Sequence, residues 1–171
     1  MILRPNAVKT LSEYKIPYTG LKTGFHHFDF KLEEKFFSNF EFSQIHSAEI
    51  AVKVRLEKQS TMLVIDAELT GTILTECDRC GDDCTVNIKG SNRLIVKFGD
   101  HTDRIDDDIL VLGPSEHQVD LSEYLYEFAH LALPLRKVHK NLADCNQEVL
   151  EKLNHFLVEE DDDENIEEEE V

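Results

Sequence analysis

The chain has no tryptophan, no long apolar run, and about half as many basic residues (18 Lys and Arg) as acidic ones (35 Asp and Glu). Without tryptophan, the ten Phe and four Tyr must supply the bulk of any core. No stretch approaches the roughly 18 consecutive apolar residues of a membrane-spanning helix, so no membrane partner is expected. The opening residues, Met-Ile-Leu-Arg-Pro-Asn, lack the apolar stretch of a secretory signal, and the expected location is the cytoplasm. Four cysteines in that compartment are expected to be free or metal-bound and not disulfide-paired. There is no G-x-S-x-G, no phosphate-cradling glycine-rich loop and no H-E-x-x-H. No nucleophile stands beside an assembled base, so neither an enzyme nor a small-molecule substrate is expected. An RNP-type aromatic and basic signature is also missing.

What is present suffices for one folded unit. Apolar residues make up 41% of the 171, and the expected organisation is a single α+β domain over 1–158 with a tail over 159–171. The tail, EEDDDENIEEEEV, holds ten acids and no base. It therefore carries ten units of the net −17, leaving −7 on the first 158 residues. Its composition predicts disorder. As a solubilising appendage it needs no partner; the functional alternative is an acidic arm that docks on a basic protein or mimics nucleic acid.

Periodicity sketches the fold. Residues 1–20 read as irregular to extended, broken at Pro17 and Gly20. Residues 27–32 alternate, with Phe28, Phe30 and Leu32 on one face, and predict a strand. Residues 33–42 suggest a short helical piece that turns Phe36, Phe37 and Phe40 inward. A clean alternation follows over 48–57, with Ala48, Ile50, Val52, Val54 and Leu56 on the core face. Residues 62–76 and 85–98 predict two further long strands, with Gly71 as a bend or bulge. Phe98 is expected to face the core, and Lys89, Arg93 and Lys97 the other side. Residues 99–108 read as a polar loop, 109–112 as a short strand and 117–119 as a short extended piece. Asp120 and Glu123 match a D-x-x-E variant of the capping box. They open a helix whose apolar stripe is Leu121, Tyr124, Leu125, Phe128 and Ala132, stopped by Pro134. A second helix is expected over 146–157, with Leu150, Leu153 and Phe156 inward. An antiparallel sheet of long strands, two C-terminal helices and a disordered acidic tail make an α+β protein.

The chemistry concentrates in Cys77-Asp-Arg-Cys80, between two of the predicted strands, and in His139-Lys-Asn-Leu-Ala-Asp-Cys145. A C-x2-C turn supplies two thiolates at low strain, and the distant pair completes a four-ligand set suited to a structural zinc ion. The bland alternative is reduced thiols in a turn and a buried apolar Cys145. Cys84 could replace His139 as the fourth ligand. A redox role for Cys77 and Cys80 lacks the surrounding βαβ pattern. Asp106, Asp107 and Asp108 offer a divalent-cation reading beside the commoner one of an acidic loop, and His130 reads as a partly buried side chain.

The order of these motifs is similar to a known family. C-x-R-C at Cys77, Arg79 and Cys80, an acidic loop, the helix DLSEYLYEFAHLALPLR ending in L-x-L-P at Leu131, Leu133 and Pro134, then His139 and Cys145, resembles the YceD family of large-ribosomal-RNA-subunit accumulation proteins. YKIPYTGLKTG, FDFKLEEKFF and RLIVKFG resemble its Bacteroidetes branch. The likeness covers nearly the whole chain except the acidic tail, and Cys84 falls outside the pattern. It implies a ribosome-biogenesis factor that affects synthesis, processing or stability of large-subunit (23S) rRNA. It supplies a pathway and no chemistry.

If the two metal segments meet, Arg79, Arg136, Lys137 and Lys140 gather into a basic patch suited to rRNA phosphates. Arg136 and Lys137, just past a helix C-terminus, would also complement its dipole. The expected function is thus a non-enzymatic rRNA factor, whose partner is large-subunit rRNA or a pre-ribosomal protein. The alternative is an adaptor that recruits a basic ribosomal protein or RNase through its acidic tail or a strand edge.

Overall fold

The computed structural model describes residues 11–41, 43–45 and 47–161. Its main body is a six-stranded sheet in the order β2-β3-β4-β5-β7-β6, built from β2 (Gly24–Glu33), β3 (Ser47–Lys58), β4 (Met62–Glu76), β5 (Asp83–Phe98), β6 (Asp103–Asp106) and β7 (Ile109–Leu112). All neighbours are antiparallel except β5 and β7, which run parallel. Two short strands, β1 (Lys15–Ile16) and β8 (Val119–Asp120), form a separate antiparallel ribbon. The helices are α1 (Glu34–Phe37), α2 (Ser122–Leu131) and α3 (Gln147–Asp161). No helix among the described residues is long and apolar enough to cross a membrane.

The alternating strands bury one face. Ile50, Val52, Val54 and Leu56 of β3, Leu63, Ile65, Ala67, Leu69 and Ile73 of β4, and Val86, Ile88, Leu94 and Val96 of β5 lie in one core. Glu49, Lys53 and Arg55, on the alternate positions of β3, are exposed. Onto this face pack Phe36, Phe37 and Phe40, all buried as their spacing predicts. Phe40 stacks on Tyr126 at 4.1 Å between ring centroids. The α2 stripe closes the core, with Leu121, Tyr124, Leu125 and Phe128 buried. Gly90 makes this possible, because a Cβ there would meet Phe128 and Ala132 at 3.3 Å.

Several expectations need correction. Gly71 makes no bulge: it pairs in continuous register with Ile50 and Ile88. Its role is close approach, since a Cβ would collide with the Glu49 carbonyl oxygen and lie 2.6 Å from Ile50 Cα. The polar loop after β5 contains β6, which pairs with β7. The capping box does not form. Asp120 instead accepts hydrogen bonds from Ser122 N (2.9 Å) and Ser122 Oγ (2.6 Å) and pairs with Lys15 at 3.0 Å. Phe98 is 39% exposed, because β5 ends there at the rim, and it stacks on Tyr18 instead. Of the α3 side chains described, those of 147–156, Val149 and Leu150 pack on the core, while Leu153 and Phe156 are exposed. Backbone helix continues to Asp161, past the helix end expected at 157; the rest of the acidic segment, 162–171, lies outside the described residues.

Candidate metal centre

The turn between β4 and β5 is built to present two sulfurs. Gly81, at φ +78°, takes the left-handed position that favours glycine. Gly81 N donates to Cys77 O at 2.9 Å and Cys77 N to Asp82 O at 2.9 Å, closing the turn tightly. The second ligand pair arrives on the segment between α2 and α3, which is stitched to the turn by backbone. Asp78 N donates to Lys137 O at 2.7 Å, Lys137 N donates to Asp78 Oδ2 at 2.6 Å, and the Lys137 ammonium lies 3.6 Å from Asp78 Oδ1. This two-way clamp holds His139 over the cysteine turn. A 3-10 turn, Leu142–Asp144, then delivers Cys145.

The four predicted ligands converge. One ligand atom from each of Cys77, Cys80, His139 and Cys145 lies within 4.8 Å of every other, so the set could hold a metal ion. His139 Nδ1 is 3.6 Å from both Cys80 Sγ and Cys145 Sγ. Its other nitrogen, Nε2, is 3.1 Å from the Asp83 carbonyl oxygen, which only accepts. Nε2 therefore carries the proton, and Nδ1 turns its lone pair toward the sulfurs. The three thiols of the cluster are buried and unbridged.

The electrostatics favour anionic sulfur at Cys77. Burial opposes its thiolate, but the backbone N–H groups of Arg79, His139 and Cys80 outweigh burial and bring the pKa down to about 6. Burial pushes Cys145 up, with the Arg79 guanidinium, 3.6 Å from its sulfur, opposing. Cys84 is buried beside Cys77, and burial followed by the Cys77 charge pushes its thiol up. It stands outside the four-ligand set. Its thiol keeps the proton and donates it toward the Cys77 sulfur, a contact its position after the C-x2-C pair did not disclose.

The basic residues surround this centre unequally. Arg79 is turned to Cys145, and Lys137 to Asp78. Arg136 and Lys140 are exposed and make no ion pair among the described residues. Elsewhere, Asp106, Asp107 and Asp108 form no ligand cluster among the described residues; Arg104 reaches Asp107 at 3.6 Å and Glu127 at 2.6 Å. His130 is half-buried, as read. A hollow of about 950 Å³ lies on the solvent face of the sheet. Its lining alternates in charge, with Asp66 held between Arg55 (2.8 Å) and Arg93 (2.6 Å), and it contains no thiol.

The family model described as Large ribosomal RNA subunit accumulation protein YceD matches residues 65–171, which include all four candidate ligands and the three C-terminal basic residues. The match begins within β4, so β1, β2 and β3 lie outside it although β3 pairs with β4 along its whole length. No curated protein and no solved structure matches the chain.

Proposed function

The chain belongs to the YceD family of large ribosomal RNA subunit accumulation proteins, and from that footing we propose that it is a non-enzymatic, cytoplasmic factor for synthesis, processing or stability of large-subunit (23S) rRNA, held in shape by a structural zinc ion. The observation that carries the zinc is the convergence of Cys77, Cys80, His139 and Cys145 within 4.8 Å. With Zn–S near 2.3 Å and Zn–N near 2.05 Å, a tetrahedral angle sets sulfur and nitrogen about 3.6 Å apart. The separations from His139 Nδ1 to Cys80 and Cys145 are both 3.6 Å. A four-ligand set with no open position fits a structural site and offers no place for substrate. Three thiolates and a neutral imidazole around a divalent ion leave one negative charge, which the Arg79 guanidinium at Cys145 offsets.

The zinc ion, when bound, joins the β4–β5 turn to the segment that leads into α3. Arg136, Lys137 and Lys140 belong to that segment, and Arg79 to the turn. Pinning the two together concentrates positive charge on an otherwise acidic protein. Phosphate contact is then a matter of local charge, because screening over about 8–10 Å mutes the repulsion from the rest of the molecule. Arg136 and Lys140 are the foremost contacts; Arg79 and Lys137 add charge while holding their internal partners.

Two measurements test this reading. Protein purified without added metal or a histidine tag should carry about one zinc per chain. Cys77→Ser and Cys145→Ser should each lower metal content and cost about 2 kcal/mol, or roughly 4–8 °C in Tm. Metal-free protein that melts no lower than the zinc-loaded form rules out the structural zinc. For the pathway, deletion should lower mature large-subunit rRNA relative to small-subunit rRNA, and an unchanged ratio rules that out.

A further inference from the structure

Among the described residues, the last helix leaves the body with the far end of its apolar stripe uncovered. Val149, Leu153 and Phe156 fall at i, i+4 and i+7, on one side of α3. Val149 and Leu150 are half-buried against the core. One turn later the cover ends: Leu153 is 43% exposed and Phe156 67%. Every residue from 151 to 156 is exposed. A helix of this length is marginal in water unless an apolar face is packed. Its start is fixed, because Gln147 Nε2 donates to the Cys145 carbonyl oxygen at 2.7 Å. The segment that carries Cys145 thus roots a helix whose residues 151–156 all face solvent.

Charge identifies what fits there. Lys152 is the one Lys or Arg in α3, against Glu148 and Glu151 on its first turns, and residues 159–171 add ten acids and no base. A nucleic acid is repelled by that charge and has no use for the stripe. A second copy of the chain would bring two acidic segments together. An apolar groove with a basic rim satisfies both features. We propose that α3 is a docking helix that seats Leu153 and Phe156 in an apolar groove of a basic protein, while the acidic segment steers that protein in. The stripe supplies the anchor and the acids supply encounter rate, the usual division of labour at such interfaces. The inference goes beyond the rRNA reading and requires no RNA contact.

The test uses the full, zinc-loaded chain and two synthetic probes. One is a peptide of Leu and Lys whose leucines share one helical face; the other is oligolysine of equal charge. The Leu/Lys peptide should bind the wild-type chain, and the double variant Leu153→Ser, Phe156→Ser should weaken it by about tenfold. Phe156→Ala alone should weaken it less but measurably, which guards against a folding defect in the double variant. Oligolysine should bind both proteins alike and lose affinity with salt or on removal of 162–171. The proposal is overturned if the double variant holds the Leu/Lys peptide as tightly as wild type. It is equally overturned if the wild-type chain sediments as a dimer that these substitutions dissolve, since a second copy would then cover the stripe. Because no RNA enters the assay, either failure leaves the rRNA reading standing.

Discussion

Tyr124 Oη and His130 Nε2 are buried side-chain polar atoms with no hydrogen-bond partner among the described residues. The cost of such an atom falls on the folded state alone. Tyr124→Phe removes the hydroxyl and keeps the ring, so its stability should match or exceed wild type in chemical denaturation. His130 donates from Nδ1 to the Tyr126 carbonyl oxygen at 2.8 Å, which leaves Nε2 as a lone pair among aromatic rings. Burial holds its pKa below the ordinary 6.5, outweighing that hydrogen bond. A base with a depressed folded pKa supports the fold above its unfolded value and loses that support as pH falls through the folded one. Unfolding free energy should therefore decline below about pH 6.5, and His130→Phe should flatten that decline. Cys77, whose pKa falls from 9.0 to about 6, gives the metal-free protein stability that grows from pH 6 to 9 and is absent from Cys77→Ser.

Among the elements, β4 is the one on which the others depend. It pairs on both sides, with β3 and with β5, and carries the cysteine turn at its end. Gly71 sits at its tightest point, beneath the Glu49 carbonyl. Gly71→Ala should cost on the order of 1–3 kcal/mol by denaturant midpoint. Should it instead prove neutral, the close approach of β3 is not a constraint. The long strands were legible because a half-buried strand alternates, and nothing local competes with that signal over ten or more residues. The D-x-x-E pattern misled for a local reason. Ser122 beside Asp120 captures the carboxylate before the amide three residues on can reach it. β6 was hidden because all four of its residues are exposed, so no alternation marks it.

For the whole molecule, the predictions concern charge. Reversal at Arg136 and Lys140, which are exposed and hold no ion pair among the described residues, should reproduce the rRNA defect of a deletion while the protein stays folded, with RNA binding that weakens as salt rises. An adaptor acting through its acidic end predicts the opposite: the double variant works and removal of 159–171 fails. Complementation of a deletion strain with each variant, scored by the rRNA ratio, decides between them. Removal of 162–171 should leave unfolding cooperative, since ten residues with seven acids bring little apolar surface to a core.

The candidate ligands were a property of the sequence. Cys77, Cys80, His139 and Cys145 could be named from spacing because thiolate and imidazole are scarce and a C-x2-C turn has few other uses. The three long strands and the α2 stripe were equally local, written in periods of two and of 3.6 residues. What only the tertiary structure decided is where each period stops being covered. Phe98, Leu153 and Phe156 continue apolar patterns that the described residues cover only in part, since β5 ends at a rim and α3 runs past the body. The same holds for Arg79 and Lys137. Their charge is legible in the sequence, but their first partners, a sulfur and a carboxylate, were fixed when the clamp between Asp78 and Lys137 brought two segments about sixty residues apart into contact. Periodicity reports which face is apolar; only the packed chain reports how far the opposing surface extends.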